Sequence, residues 1–342
     1  MGLEHIEFLT NGTNTPSSRF RVNQFLEHVS DEFRYRVSPS DFVPHSLYSP
    51  FLNGLIAANV ARNIIIQGWR GHRLFLQRMI LYKNNISLEK LLFSSARNGV
   101  VVDMDDAIFL SNPKFSYSIG CADLVIAGNE YLADWASAYS SNVKVIPTCV
   151  DHSRYLVERS FSGDRDRSIT VGWTGTKDNL HYLEPLAGLL VALQRKFSFK
   201  LLLISDSDDT PDFLSSMQVE HLRWNKSKET EQLGRIDIGL MPLPDNDWAR
   251  GKCGFKLLQY MATGALAVGS AVGANIEIIG EDDNGFLCKT PEDWYSKIEW
   301  ALQNYGSGNF VRILDRARCT IENQYSVQAN FDSFVEAVKY LK

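Results

Sequence analysis

Cysteine is scarce and scattered. The 342 residues hold five, Cys121, Cys149, Cys253, Cys288 and Cys319, and no pair has Cys-x-x-Cys spacing. That excludes a disulfide framework and a cysteine zinc site, and fits a reducing cytoplasm. Long apolar runs are missing too; none reaches the ~18 residues of a membrane span. The opening MGLEHIEFLT lacks a basic segment followed by an apolar one, so no secretory signal is expected. There is no excess of positive charge: the net charge of −5 gives no reason to expect nucleic acid as a partner. Seven histidines (His5, His28, His45, His72, His152, His181 and His221) show no metal-ligand spacing along the chain. Gly-x-Ser-x-Gly, Walker A and dinucleotide fingerprints are all absent.

What is present is a soluble globular composition, 44% hydrophobic and 22% charged, in a chain long enough for two domains. Residues 4–9 read as a strand, 11–18 as a turn-rich loop and 19–29 as a helix. Further strands are expected at 33–39, 74–81, 100–110, 122–128 and 142–147. Helices fall between them, one of them SLEKLLFSSARNG (87–99) with a serine cap and a glycine stop. Residues 40–72 hold an apolar run with no clear period. The polar stretch 148–168 reads as a linker, after which strand–helix alternation restarts: strands at 169–176, 199–206, 219–224, 236–244, 265–270 and 284–288. Helices are expected at about 179–196 and 228–235, within 250–264 after a glycine-broken turn, and at 291–304 and 309–322, with a last one near the C-terminus. The pattern predicts two α/β domains with largely parallel sheets. Their boundaries are 1–150, joined by a final helix at about 324–342, and 151–323.

Three stretches carry chemistry. The first is RGKCGFKLLQYMATG (250–264), where Lys252, Lys256 and Gln259 share a face at helical spacing and Leu257, Leu258, Met261 and Ala262 share the other. Two ammonium groups near a helix start, with Gly251 and Gly254 permitting close approach, suit a diphosphate. A solvated face is the plain alternative. The second is the loop Gly172-Trp173-Thr174-Gly175-Thr176, followed by Lys177, between a strand and a helix. The third is Asp103, Asp105 and Asp106 at the end of a β-branched strand. These carboxylates could hold a cation, orient substrate hydroxyls or take part in acid–base chemistry, or simply sit in solvent. A substrate-orienting or structural role is preferred to a metal. Arg19 and Arg21, just after the first strand, are candidates for the same crevice.

SSRFRV (17–22), VVDMDDAIF (101–109), ADLVIAGNEYLADWA (122–136), VIPTCVD (145–151), VGWTGT (171–176), the stretch 237–264 and NGFLC (284–288) occur in an order that resembles the retaining glycosyltransferases of family 4, with GT-B architecture, in their bacterial polysaccharide and lipopolysaccharide branch. The resemblance implies two Rossmann-like doubly wound domains facing across a cleft, the first binding an acceptor and the second a nucleotide sugar. The last helix would return to the first domain. It implies hexosyl transfer with retention and no cofactor or metal, to a glycan, lipid-linked or small-molecule acceptor. The protein would work in the cytoplasm, in peripheral contact with the inner membrane face. Gly172, Trp173, Thr174, Gly175, Lys177, Trp224, Asn225, Arg250, Gly251, Lys252, Cys253, Gly254, Phe255, Lys256 and Gln259 would line the donor site. Asp105, Asp106 and Lys256 would be catalytic, and Arg19 and Arg21 would line the acceptor side. The family's two glutamates, seven residues apart, fall on Gly251 and Gln259, and its usual loop arginine on Trp173. Two other functions therefore stay open: a nucleotide-sugar epimerase of the same fold, and a catalytically degenerate partner that binds a sugar nucleotide.

Overall fold

Thr15 and Pro16 turn the polar loop after the first strand into the start of a helix. The Thr15 hydroxyl accepts from the Ser18 amide at 3.4 Å and Pro16 occupies the first helical turn, where its fixed φ and missing N–H are no handicap. The helix expected from residue 19 therefore begins at 16. In the computed structural model, residues 4–12, 15–39, 62, 65–66, 70–79, 86–155, 157 and 168–339 are described. They fall into two units. One comprises residues 1–149, 250–253 and 330–342; the other comprises 150–249 and 254–329. Most of the apolar run at 40–72 lies outside the described residues, as does the greater part of 156–167.

The first unit is built on a six-stranded parallel sheet: β1 (His5–Thr10), β2 (Arg34–Pro39), β3 (Arg73–Gln77), β4 (Val100–Met104), β5 (Leu124–Ala127) and β6 (Val143–Val145), in the order β2-β1-β3-β4-β5-β6. Its helices are α1 (16–26, with a π-helical turn at Arg19–Asn23), α2 (Ser87–Ser95), α3 (Phe115–Cys121) and α4 (Glu130–Ser137). One face of the sheet buries Leu74, Leu76, Val100, Val102 and Val125. On the other, Phe8 packs with Phe75 and with Phe334 from near the C-terminus, and Phe334 stacks on Phe25 at 4.4 Å.

The second unit repeats the plan: β7 (Ile169–Thr174), α5 (Ala187–Lys196), β8 (Phe199–Ser205), β9 (Val219–Arg223), α6 (Glu229–Leu233), β10 (Ile238–Met241), α7 (Phe255–Ala262), β11 (Leu266–Ser270), α8 (Ala274–Ile278), β12 (Phe286–Cys288), α9 (Pro291–Gln303) and α10 (Gly308–Thr320). The parallel sheet runs β12-β11-β10-β7-β8-β9, so strand order reverses between β7 and β10, the doubly wound arrangement whose ligands bind at the carboxyl ends of the strands. A last helix, α11 (Val327–Lys339), starts in the second unit and from residue 330 counts with the first.

Several expectations shift. The strand expected over 100–110 stops at Met104, and a 3-10 turn at Ile108–Leu110 follows. β3 stops at Gln77, because Arg78 adopts φ 60 and turns the chain out of the sheet. Ser87 is the first residue of α2, and the capping position falls on Ile86. The helix expected from 179 is a 3-10 run, Lys177–Leu186, before α5 begins. Pro185, which can donate no backbone hydrogen bond, sits at the change. Within the linker, Val150 bridges Ser326 and a 3-10 turn forms at His152–Arg154.

Candidate active site

In the second unit the chain leaves β7 through Gly175. A side chain there would meet the Trp173 ring at 2.6 Å and the Lys256 Cε at 3.0 Å. The Lys256 ammonium lies 5.6 Å from the center of the Trp173 ring. The glycine loop and the helix carrying Lys256 therefore converge at the carboxyl end of β7, where the strand order reverses. Lys256 stands in the first turn of α7, whose capping residue Gly254 has φ 64 and offers no side chain to the helix amides. A helix start without a side-chain cap and a lysine in its first turn make a positive end that suits anionic oxygens.

The glycines on either side have steric duties. A side chain at Gly172 would meet Ile236 at 2.4 Å, and one at Gly254 would meet Ile278 at 2.2 Å. Loop amides are partly committed to the fold: Thr174 donates to the Tyr260 hydroxyl at 3.1 Å, Gly175 to the Ile204 carbonyl at 3.0 Å and Lys177 to Asp206 at 2.7 Å. The Lys177 ammonium pairs with Asp209 at 2.7 Å. Trp173 is 1% exposed, so its side chain is a floor under Lys256 rather than a free ligand contact. The amides of Trp224 and Asn225 donate to the Ser205 carbonyl at 2.7 Å and the Gln232 side chain at 3.0 Å.

Gln259 is buried, and its amide donates to the Tyr155 hydroxyl at 3.5 Å. Tyr155 in turn donates to Glu229 at 3.0 Å, and the Trp224 indole N–H donates to the same carboxylate at 3.0 Å. Tyr155 and Glu229 were not among the sequence candidates. No local motif marks them, and 74 residues separate the pair.

Residues 250–253 are not part of the helix expected to include Lys252. They count with the first unit, while Gly254 onward counts with the second; the left-handed backbone of Gly254 separates the two. The Asn129 side chain holds them, donating to the Arg250 carbonyl at 3.3 Å and the Lys252 carbonyl at 3.1 Å. The Cys253 thiol donates to the Asp105 carbonyl at 3.3 Å, and burial pushes that thiol up to about 12. It is a packing group and a poor nucleophile at neutral pH. A side chain on Gly251 would meet the Ala107 Cβ at 2.5 Å.

All three aspartates at the end of β4 and just beyond it have cationic partners. Asp103, 1% exposed, receives Arg21 Nη2 at 2.5 Å and Nε at 3.2 Å, and Arg21 also donates to the Ile146 carbonyl at 2.7 Å. Burial opposes the Arg21 charge, yet Asp103 holds the guanidinium above its ordinary range. Asp105 is paired with Arg78. Burial alone would raise the Asp105 carboxyl, but the charge and hydrogen bond of Arg78 outweigh it and hold the group below its ordinary value. Asp106 lies between Arg78 at 3.6 Å and Lys252 at 3.3 Å. Arg78 was missed from sequence, where it read as part of a buried strand. Its positive φ is stabilised by its own amide, which donates to the Asp103 carbonyl at 2.8 Å. Arg19 is half-buried, its guanidinium 4.7 Å from the center of the Phe20 ring. Arg21 is enclosed and fully occupied by the fold.

A fold of two parallel-sheet Rossmann-like halves is that of the GT-B glycosyltransferases. The family model of Glycosyl transferases group 1 matches residues 168–304, which holds the second unit's sheet and the Lys256 helix. The structure is similar to Anabaena HepE in complex with UDP and glucose, with TM-score 0.68, 15% identity and coverage of 99% of this chain and 100% of that one. It is also similar to sucrose-phosphate synthase from Thermosynechococcus elongatus, with TM-score 0.70, 11% identity and 97% of each chain covered. A third likeness is to the apo form of the lipopolysaccharide outer core galactosyltransferase WaaB, with TM-score 0.65, 14% identity and coverage of 98% and 99%. No curated protein matches the chain in sequence. Among the described residues, no helix is long and apolar enough to cross a membrane.

Proposed function

We propose that this chain is a glycosyltransferase that takes a sugar, with retention, from a nucleotide-diphosphate sugar. The observation that carries the reading is the meeting of Lys256, the amino-terminal start of α7 and Gly175 where the strand order of the second sheet reverses. A positive helix end there would stabilise charge that builds on the diphosphate as the glycosidic bond breaks. The group 1 match over 168–304 and the UDP and glucose held by the Anabaena neighbour support the same assignment. Gln259, bound to Tyr155 beside the Glu229 carboxylate, would face the ribose through a neutral amide. The acceptor would use the first unit, with Asp105, Asp106 and Arg19 near its strand ends. The reaction would need no metal, because each aspartate at the end of β4 and just beyond it already has a cationic partner. Its setting would be glycoconjugate assembly in the cytoplasm, at the inner face of a membrane.

Calorimetry with UDP and GDP tests the donor site. Lys256→Ala is expected to lower affinity by about tenfold or more, the scale of a lost hydrogen bond to a charged group. Lys339→Ala, at the exposed end of α11, should leave it unchanged. Equal affinities for the two variants would remove the diphosphate from this helix. Transfer from UDP-, GDP- and ADP-sugars, with the anomeric configuration of the product read by NMR, tests the reaction.

A second reading, a sugar-nucleotide-binding partner without transferase activity, is favoured by one contact. Gly251 has no room for a side chain against Ala107, so no carboxylate could be presented from that position. Tight donor binding without transfer or hydrolysis across the panel would select it.

A further inference from the structure

His5 and Glu7 project from the same face of β1, two residues apart. In the parallel register Ile6 pairs with Arg73, so the residue beside His5 across the strand pair is His72, one position before β3. The fold thereby gathers two imidazoles and a carboxylate at the amino-terminal ends of β1 and β3. The aspartates and Arg78 lie at the opposite, carboxyl ends of the strands. One ligand atom from each of His5, Glu7 and His72 lies within 4.8 Å of the other two. The two imidazole rings are stacked with centers 3.9 Å apart.

Two buried atoms at this point have no hydrogen-bond partner: Glu7 Oε2 and His72 Nδ1. Glu7 is 1% exposed, and leaving a buried carboxylate oxygen unsatisfied is costly. Its other oxygen is accounted for, since Ser38 donates to Oε1 and the Arg36 guanidinium stands 3.8 Å from it. Glu7 thus keeps one oxygen pinned and directs the other toward the histidines.

We propose that His5, Glu7 and His72 form a zinc site that clamps the amino-terminal ends of β1 and β3. Two imidazole nitrogens and one carboxylate oxygen are a donor set that zinc accepts, leaving a fourth position for water. Ligand bonds of about 2.1 Å around a tetrahedral ion place the donor atoms roughly 3.4 Å apart, so side-chain rotations of about an ångström would close the set. Arg34, Arg36 and Arg70 oppose a cation here, but all three are exposed and screened by solvent.

The test uses tag-free, full-length protein stripped with EDTA and titrated with zinc chloride, and separately with cobalt(II). One zinc per chain is expected, with a rise in apparent melting temperature that saturates at one equivalent. Glu7→Gln keeps the packing volume and His72→Ala removes a ligand; each should weaken zinc binding by tenfold or more and abolish the melting shift. The cobalt form should show visible bands of a nitrogen- and oxygen-ligated ion. Zinc binding that is equal in wild type and Glu7→Gln overturns the proposal, even if His72→Ala fails to fold. Sulfur-to-cobalt charge-transfer bands overturn it as well, because they would place the metal on a cysteine.

Discussion

Arg21 and Asp103 carry opposite charges into the interior of the first unit, and each is tolerable there only because of the other. A guanidinium 3% exposed, with two nitrogens on one carboxylate and a third on a carbonyl, is fully satisfied. Removing its partner leaves it charged and buried. Asp103→Asn is accordingly expected to destabilise the unit by about 3–5 kcal/mol in urea unfolding. Asp105 and Arg78 give a pH-dependent signature. The folded Asp105 carboxyl titrates below the ordinary aspartate value of 3.8. Its pairing therefore contributes full stability above that value and loses it as pH falls through the depressed folded value. The urea midpoint of wild type should show this loss below about pH 4. In Arg78→Gln that part of the acid dependence should disappear.

At the scale of elements, α11 and the 250–253 segment show how distant pieces of sequence complete the first unit. Phe334 is buried among Phe8, Phe25 and Phe75. Phe334→Ala should cost about 3–5 kcal/mol, the range for truncating a core aromatic. A spectroscopic probe of the first unit should report that loss. The segment 250–253 fits its surface closely. Gly251→Glu forces a side chain into Ala107, so the variant should lose about 1–3 kcal/mol from overpacking. It should also fail to raise transfer activity above wild type. A gain in turnover would show that the glycine was chosen for some reason other than space.

At the scale of the whole molecule, two units with separate cores need not unfold together. If UDP or GDP binds at Lys256, a melting experiment should show the second unit's transition rising with ligand concentration while the first unit's stays fixed. Turnover is expected to persist in EDTA. Loss on chelation that magnesium or manganese restores, and zinc alone does not, would return a metal to Asp105 and Asp106.

The alternation of β-branched runs with amphipathic helices was enough to predict two α/β halves, because strand and helix periods are local properties of the chain. The Gly175 loop and Lys256 were legible for the same reason, being short stretches beside recognisable strands. What only the tertiary structure decided are partnerships between residues far apart in sequence. Lys252 shares helical spacing with Lys256, yet the backbone turn at Gly254 assigns it to Asp106. Arg21 read as a residue lining the acceptor crevice, but Asp103, 82 residues away, draws it inside. His5 and His72 have no spacing that signals a site, and become neighbours only because β1 and β3 pair in parallel register. Periodicity decides which elements form; the register and packing of those elements decide which charges, rings and carboxylates meet.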